Sequence, residues 1–198
     1  MDTTEVKDGV AAFYASSSAV WRSWLETNHA SAVSVWLILY KKDSGTPSLT
    51  YREAVEEALC FGWIDSKPNK RDAVSYYQFF ARRNAKSNWS RLNKTIVERL
   101  LTEGRMAPAG LEMIRVAKET GTWTALDDVE NLVVPDDLQH ALDKYPKAFA
   151  YWEAFPRSVK RGILEWILNA KRPATRQKRI EETARMAAEN KRANQFRA

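Results

Sequence analysis

The strongest constraint on the fold is an uninterrupted run of six large apolar residues from Val35 to Tyr40. Breaker residues follow at positions 43–47. A short apolar run that ends in polar breakers is typical of a strand that is buried on both faces. It is far shorter than the about 20 residues that cross a bilayer. The chain must therefore build a sheet and supply other elements that cover it.

Two later segments, 63–66 and 73–80, are rich in aromatic and β-branched residues and favour strands. The polar stretch 67–72 between them predicts a loop, so we expect a small antiparallel sheet of about three strands. Over residues 10–26 the large apolar side chains recur mostly at spacings of three, four and seven, which predicts one or two amphipathic helices.

A short helix is predicted between positions 50 and 62. Thr50 and Glu53 have the spacing of a capping box, in which each side chain bonds the other residue's backbone amide. Gly62 supplies the left-handed residue that ends such a helix. Ala54, Ala58 and their apolar neighbours would face inward.

Helical signals dominate from Ser87 to the end of the chain, where proline and glycine divide the sequence into short segments. We therefore expect an α+β fold. Its front part, residues 1–125, would contain the sheet, several helices and a candidate pocket. Residues 126–198 would form an all-α, basic C-terminal part that packs on the first.

Positive charge is concentrated in two stretches of the chain. Residues 157–198 contain twelve basic and four acidic side chains, and residues 62–105 contain ten basic and four acidic ones. Such local fields attract anions, whether phosphates, nucleic acids or acidic protein surfaces. The charge pattern alone does not choose among them.

The composition disfavours several classes of protein. Cys60 is the only cysteine, and the two histidines, His29 and His140, are far apart, so we expect no disulfide and no metal site. No GxGxxG or P-loop string occurs, and we expect no cofactor and no reaction that the residues themselves reveal. The acidic N-terminus has no apolar segment after it, which predicts no leader, no membrane insertion and a cytoplasmic protein.

The candidate binding site lies on the later predicted strands and just after them. Trp63 and Asp65 share one face of a strand, because side chains alternate along it. Arginines at the exit of the next strand suit a carboxylate or phosphate, and aromatic rings suit a planar ligand. The predicted ligand-binding residues are Trp63, Asp65, Tyr76, Arg82, Arg83 and Trp89. Alternatively, the aromatic residues belong to the core, and Asp65 caps a turn or pairs with an arginine.

Two other functions stay open at this stage. A nucleic acid could bind the C-terminal cations Lys171, Arg172, Arg176 and Arg179, although a helix with interspersed glutamates is also typical of an ion-paired, solvated face. An enzyme could use Asp65 as a general acid or base, with its pKa raised by aromatic surroundings. The favoured hypothesis remains a binding or protection protein for a small anionic or aromatic ligand.

Several strings in the chain resemble one known family. They are VWL with KK at 35–42, ALCFGWID at 58–65, SNWS at 87–90, and WILNAKRPATRQKRI at 166–180. On these motifs the chain is similar, from about residue 10 to 190, to the bacterial YdeI/OmpD-associated family, also called bacteriocin-protection proteins. This chain has Arg82 and Ala85 where that family usually has prolines. The resemblance implies a cytosolic bacterial protein linked to resistance against bacteriocins, peptides or other stress. It implies no established reaction, catalytic residue or cofactor.

Overall fold

The structure, a computed structural model, describes residues 5–194 of the chain. The chain divides into two units, Met1–Thr124 and Ala125–Ala198. Residues 1–4 and 195–198, at the outer ends of the two predicted parts, lie outside the described residues. Within the described range, strands occur in the first unit, and the elements of the second unit are helices.

A mixed sheet forms the centre of the first unit. Its strands are β1 (Val6–Lys7), β2 (Val10–Tyr14), β3 (Ser34–Tyr40), β4 (Trp63–Lys70) and β5 (Ser75–Arg82). The five strands lie in the order β1-β2-β3-β5-β4, with β2 and β3 parallel and the other neighbours antiparallel. The α+β class is confirmed. The expectation of about three antiparallel strands is wrong, because two strands near the N-terminus were missed and one of them pairs in parallel.

β2 and the start of the crossover occupy the segment that we predicted to be helical. Asp8 and Gly9 have φ angles of 51° and 77°, which allow the tight turn between β1 and β2. The apolar spacing in so short a segment fits a helix as well as a strand, so it could not decide between them. Helix α1 (Ser18–Asn28) begins after Ser17, whose hydroxyl accepts a hydrogen bond from the Val20 amide. It provides the crossover that the parallel pair requires.

β4 is an edge strand and includes residues that we predicted to form a loop. The strand continues to Lys70, with an irregular register between Asp65 and Pro68. Its place at the end of the strand order explains why a proline is tolerated there, since an edge strand has amides that need no ladder partner. The polar composition of residues 67–70 therefore reflects an exposed edge and not a loop.

Three more helices belong to the first unit. They are α2 (Tyr51–Cys60), α3 (Arg91–Thr102) and α4 (Pro108–Glu119), and a short 3-10 helix spans Lys42–Ser44. The capping box of α2 is confirmed, because the Thr50 hydroxyl accepts from the Glu53 amide while the Glu53 carboxylate accepts from the Thr50 amide at 2.7 Å. Gly62 follows the helix with a φ angle of 72°, as predicted.

The core of the first unit lies between the sheet and these helices. Leu37 and Leu39 of β3 pack there with buried residues of the helices, such as Leu25, Leu59 and Val97. The alternate residues of β3, including Trp36 and Ile38, pack on the other sheet face with Tyr77. The strand is therefore buried on both faces, as its sequence predicts.

The second unit has its own core, built from five helices among the described residues. They are α5 (Asp127–Glu130), α6 (Asp136–Asp143), α7 (Ala148–Ala154), α8 (Arg157–Leu168) and α9 (Pro173–Ala188). Trp152 of α7 is fully buried, and Ile163 and Ile180 pack in the same cluster. Between residues 5 and 194, no helix combines the length and apolar character that crossing a membrane requires.

Candidate functional site

Trp63 is a core residue. Its side chain is 0% exposed and its indole Nε1 donates to the backbone oxygen of His29 at 3.2 Å. Its ring meets that of Trp24 edge to face, with centroids 5.7 Å apart. Both its ring and its polar atom therefore have partners inside the fold.

Asp65 on the edge strand β4 and Tyr76 on β5 both lie near Tyr51, the first residue of α2. The Tyr51 hydroxyl donates to the Asp65 carboxylate at 2.7 Å, and the amide of buried Gln78 lies 3.5 Å from the same oxygen. Burial and, after it, the bond to Asp65 raise the pKa of Tyr51, and burial raises the pKa of Tyr76. Asp65 is thus bound by Tyr51, and within residues 5–194 it forms no ion pair with Arg82 or Arg83.

The two arginines at the end of β5 have contrasting environments. The Arg82 amide donates to the Val33 oxygen and the Arg83 amide to the Gly62 oxygen, so both backbones are fixed by neighbouring segments. The Arg82 side chain is exposed, whereas Arg83 is only 6% exposed. One cation therefore lies at the surface and the other inside the fold.

The guanidinium of Arg83 has few partners. Its Nη2 donates to the backbone oxygen of Asn88 at 2.6 Å, and its plane lies over the buried ring of Trp89 at 3.8 Å from the centroid. Within the part of the chain that the structure describes, its Nε and Nη1 have no hydrogen-bond partner. Burial lowers the pKa of Arg83 to about 10. The positive charge is thus buried, and no carboxylate of the described residues balances it.

Arg82 and Arg83 line one cleft of about 520 Å³ together with residues from three other segments. The other lining residues are His29, Ala30, Phe61, Gly62, Ala109 and Met113. The cleft thus lies where the end of α1, the turn between α2 and β4, the exit of β5 and the first half of α4 meet. Of the six residues predicted from the sequence, it brings together Arg82 and Arg83, with Trp89 beneath Arg83.

Two glycines let the segments approach closely enough to form this cleft. A Cβ on Gly62 would lie 2.9 Å from the Met113 Cγ and 3.1 Å from the Ala109 oxygen. A Cβ on Gly110 would lie 2.3 Å from the Cys60 oxygen. Because that oxygen belongs to the backbone, no movement of a side chain could relieve this clash. The start of α4 is therefore held against the end of α2, which fixes the width of the cleft.

The remaining polar group of the cleft is the imidazole of His29. Its Nδ1 lies 2.9 Å from the Leu25 oxygen. Because a carbonyl oxygen can only accept a hydrogen bond, Nδ1 carries a hydrogen and donates it. The ring packs beside Phe61, with centroids 5.3 Å apart and planes tilted by 50°. The cleft therefore combines two cations, an imidazole and apolar walls.

Sequence reasoning missed His29, Phe61, Ala109 and Met113 as lining residues. They come from segments far apart in the chain, and nothing in their local patterns distinguishes them from ordinary core or surface residues. The adjacent arginines after an aromatic strand were the only local signal.

The cations proposed for nucleic-acid binding fall into two groups. Arg176 donates to both Asp137 carboxylate oxygens, at 2.7 and 2.9 Å, and Arg179 donates to the Trp166 oxygen while lying over its ring. Lys171 and Arg172 are exposed. Arg176 and Arg179 thus join helices of the second unit to each other.

Metal-binding residues are not grouped in the described part of the chain. Among residues 5–194, no set of three or more histidine, cysteine or acidic side chains is arranged to hold a metal ion. Cys60 is buried, and burial raises the pKa of its thiol. The arginines and the histidine that line the cleft can recognise a ligand through ionic contacts and hydrogen bonds.

Two families match different parts of the chain. A domain of unknown function, DUF8412, matches residues 13–113, which include the whole lining of the cleft. The family described as bacteriocin-protection, YdeI or OmpD-associated matches residues 131–190, so the front motifs quoted for that resemblance lie outside its match. No curated protein and no solved structure matches the chain significantly. The chain therefore belongs to the DUF8412 family and is linked to the bacteriocin-protection, YdeI or OmpD-associated family through its C-terminal unit.

Proposed function

We propose that the first unit binds a small anionic ligand, a carboxylate or a phosphate, in the cleft beside Arg83. The observation that carries this proposal is the buried guanidinium of Arg83, which has no carboxylate partner among the described residues. A buried cation of this kind is balanced when an anion enters the adjacent cleft. The exposed Arg82 at the rim supplies the direct charged contact.

The magnitudes favour a ligand over a purely internal role for Arg83. Burying one ion costs several kcal/mol even after the protein relaxes. A desolvated cation–π contact such as that with Trp89 returns about 2 kcal/mol, and one hydrogen bond to a charged group returns about 1.5–3 kcal/mol. Its Nε and Nη1 still lack a hydrogen-bond partner within residues 5–194, and a buried donor left unsatisfied costs about 1–3 kcal/mol. An anion in the cleft supplies the missing interaction.

Binding is tested by titrating the full chain with sodium acetate, sodium benzoate and inorganic phosphate. We expect at least one of these anions to raise the midpoint of thermal unfolding and to shift the NMR signal of the Arg83 Nε–H group. Arg83→Met, which lacks that NMR signal, should abolish the rise in the midpoint of thermal unfolding. Arg115→Met changes the net charge equally on the exposed face of α4 and should leave both effects intact.

Two outcomes would overturn the proposal. One is that none of the three anions changes either signal at millimolar concentration. The other is that Arg83→Met binds as well as the unchanged protein, since the buried charge is then irrelevant to recognition.

We also propose that this binding serves a protective role against toxic peptides or other stress. The support is the match of residues 131–190 to a family described as bacteriocin-protecting. The test compares the survival of bacteria that express the unchanged chain, Arg83→Met or Arg115→Met during bacteriocin challenge. We expect the unchanged chain and Arg115→Met to protect the bacteria and Arg83→Met not to protect them. The protective role would be contradicted if bacteria without the protein survived as well as bacteria that express the unchanged chain.

A further inference from the structure

We propose that the anion bound in this cleft is an aromatic carboxylic acid, an inference that rests on the proposed anion-binding function. The carboxylate would lie at the arginines and the ring against the apolar wall. Three properties of the cleft carry this inference: its size, the composition of its walls and the geometry of the free donors.

The cleft is too large for a bare oxyanion. Its volume is about 520 Å³, whereas on the same measure a cavity for one water molecule needs about 10–15 Å³. An acetate or phosphate would occupy a small fraction of this space. A ligand that fills the cleft therefore has a body beyond its charged group.

The walls around that remaining space are largely apolar. Ala30, Phe61, Ala109 and Met113 line it, and the His29 ring extends the aromatic surface of Phe61. Aromatic rings pack favourably on other rings in offset or tilted arrangements, and methionine sulfur makes favourable contacts with ring edges. A flat aromatic body therefore suits these walls better than a sugar or a polyol.

The donors suit two oxygens better than three or four. Arg83 Nη2 carries two hydrogens and the Asn88 oxygen takes one, so one two-pronged edge of the guanidinium has no acceptor. A carboxylate can use such an edge with both of its oxygens once it displaces the atoms that now shield it. A phosphate group would leave its other oxygens against the alanine and methionine side chains, where they lose hydration.

The experiment compares four probes by isothermal titration calorimetry on the full chain: benzoate, cyclohexanecarboxylate, acetate and inorganic phosphate. We expect benzoate to bind at least about 10-fold more tightly than acetate or phosphate, because burying most of a ring is worth more than one tenfold step in affinity. Benzoate should also bind more tightly than cyclohexanecarboxylate, which has similar size but no π-system.

Two variants separate the ring subsite from the anion site. Ala109→Leu fills the cleft and should weaken benzoate about 10-fold or more while leaving acetate unchanged. Met113→Ala removes one wall instead, and should weaken benzoate severalfold with acetate again unchanged. The second variant keeps the test valid if the first does not fold. Arg83→Met should weaken all carboxylates alike.

The outcomes distinguish the preference for an aromatic carboxylate from anion binding itself. Equal affinities for benzoate, cyclohexanecarboxylate and acetate, or a preference for phosphate, would overturn the aromatic carboxylate and leave the anion site standing. Loss of acetate binding along with benzoate in Ala109→Leu would also overturn the ring subsite. Failure of every anion to bind would refute the anion site itself.

Discussion

The guanidinium of Arg83 lies 3.8 Å from the ring centroid of Trp89, and both side chains are buried. Trp89 is held in turn by Trp123, whose ring centroid is 5.0 Å away, and by a backbone bond to Thr122. The arginine therefore rests on a fixed aromatic surface. Its orientation is set before any ligand arrives, which limits the entropy lost on binding.

Replacing Arg83 tests whether its buried charge serves binding or stability. We expect Arg83→Met to leave the free energy of unfolding of the free protein unchanged or to raise it by about 1 kcal/mol, because an apolar side chain of similar length removes an unbalanced buried charge. Urea unfolding without added anions measures this. A loss of more than about 1 kcal/mol would show that the contacts with Trp89 and Asn88 mainly stabilise the fold.

Gly62 and Gly45 provide a matched pair for testing the close approach of α4. Their φ angles are 72° and 71°, but only Gly62 has atoms near the position of a Cβ. We expect Gly45→Ala to cost about 1–2 kcal/mol for the left-handed backbone alone. Gly62→Ala should cost clearly more, about 2–4 kcal/mol, because a clash adds to the strain. Equal losses in chemical denaturation would mean that α4 moves away easily.

Glu56 makes the first unit sensitive to acid. Burial alone would raise its pKa, but ion pairs with Arg99 and Arg52, at 2.7 and 2.9 Å, outweigh burial and lower the pKa from its ordinary value. A carboxyl whose pKa is lowered by folding stabilises the protein above its unfolded pKa, and this contribution is lost as the pH falls through the folded pKa.

We therefore expect Glu56→Gln to cost about 1–3 kcal/mol at pH 7 and progressively less as the pH falls below about 4.5. Unfolding measured between pH 7 and pH 3 tests this. The control is Glu112→Gln, which removes an exposed carboxylate bound to Arg115 and should have a much smaller effect at pH 7. A cost for Glu56→Gln that does not change with pH would contradict the ion-pair explanation.

The bond between Arg176 and Asp137 allows a test of whether Arg176 stabilises the fold or contacts a nucleic acid. It joins the first turns of α9 and α6 with two hydrogen bonds. We expect Arg176→Ala and Asp137→Ala each to lower the free energy of unfolding by about 1 kcal/mol, with a coupling of about 0.5–1 kcal/mol in the double variant.

Duplex DNA titrated at low salt gives the opposing test. If Arg176→Ala abolished DNA binding without changing stability, the arginine would be a phosphate contact and not a structural one. Lys171→Ala with Arg172→Ala serves as the comparison, because both side chains are exposed, Arg172 makes no side-chain cap bond to α9, and their loss should not alter unfolding.

Local patterns in the sequence were sufficient for part of the fold. Thr50 and Glu53 specify the start of α2 within four residues, and the apolar run from Val35 specifies a strand buried on both faces. These signals succeed because the interactions they encode are close in the chain. The parallel pairing of β2 with β3 depends on contacts across a whole helix, and no short pattern specifies it.

The candidate site was predictable only in its charged part. Arg82 and Arg83 were identified because two cations follow an aromatic strand, which is visible locally. His29 and Met113 reach the same cleft from α1 and α4, and the approach of Met113 depends on the glycines at 62 and 110. The sequence shows where these glycines are, but it does not show which residues lie next to them in the folded protein.

The composition of β4 has a consequence for solubility. An unpaired strand edge is a template on which a second chain can add its own strand and begin to aggregate. Pro68 removes an amide from that edge, Lys67 and Lys70 place charges along it, and the irregular register after Asp65 bends it. Replacing Pro68 with valine and both lysines with threonine should therefore allow β4 to pair with the same strand of another molecule, so that the protein self-associates.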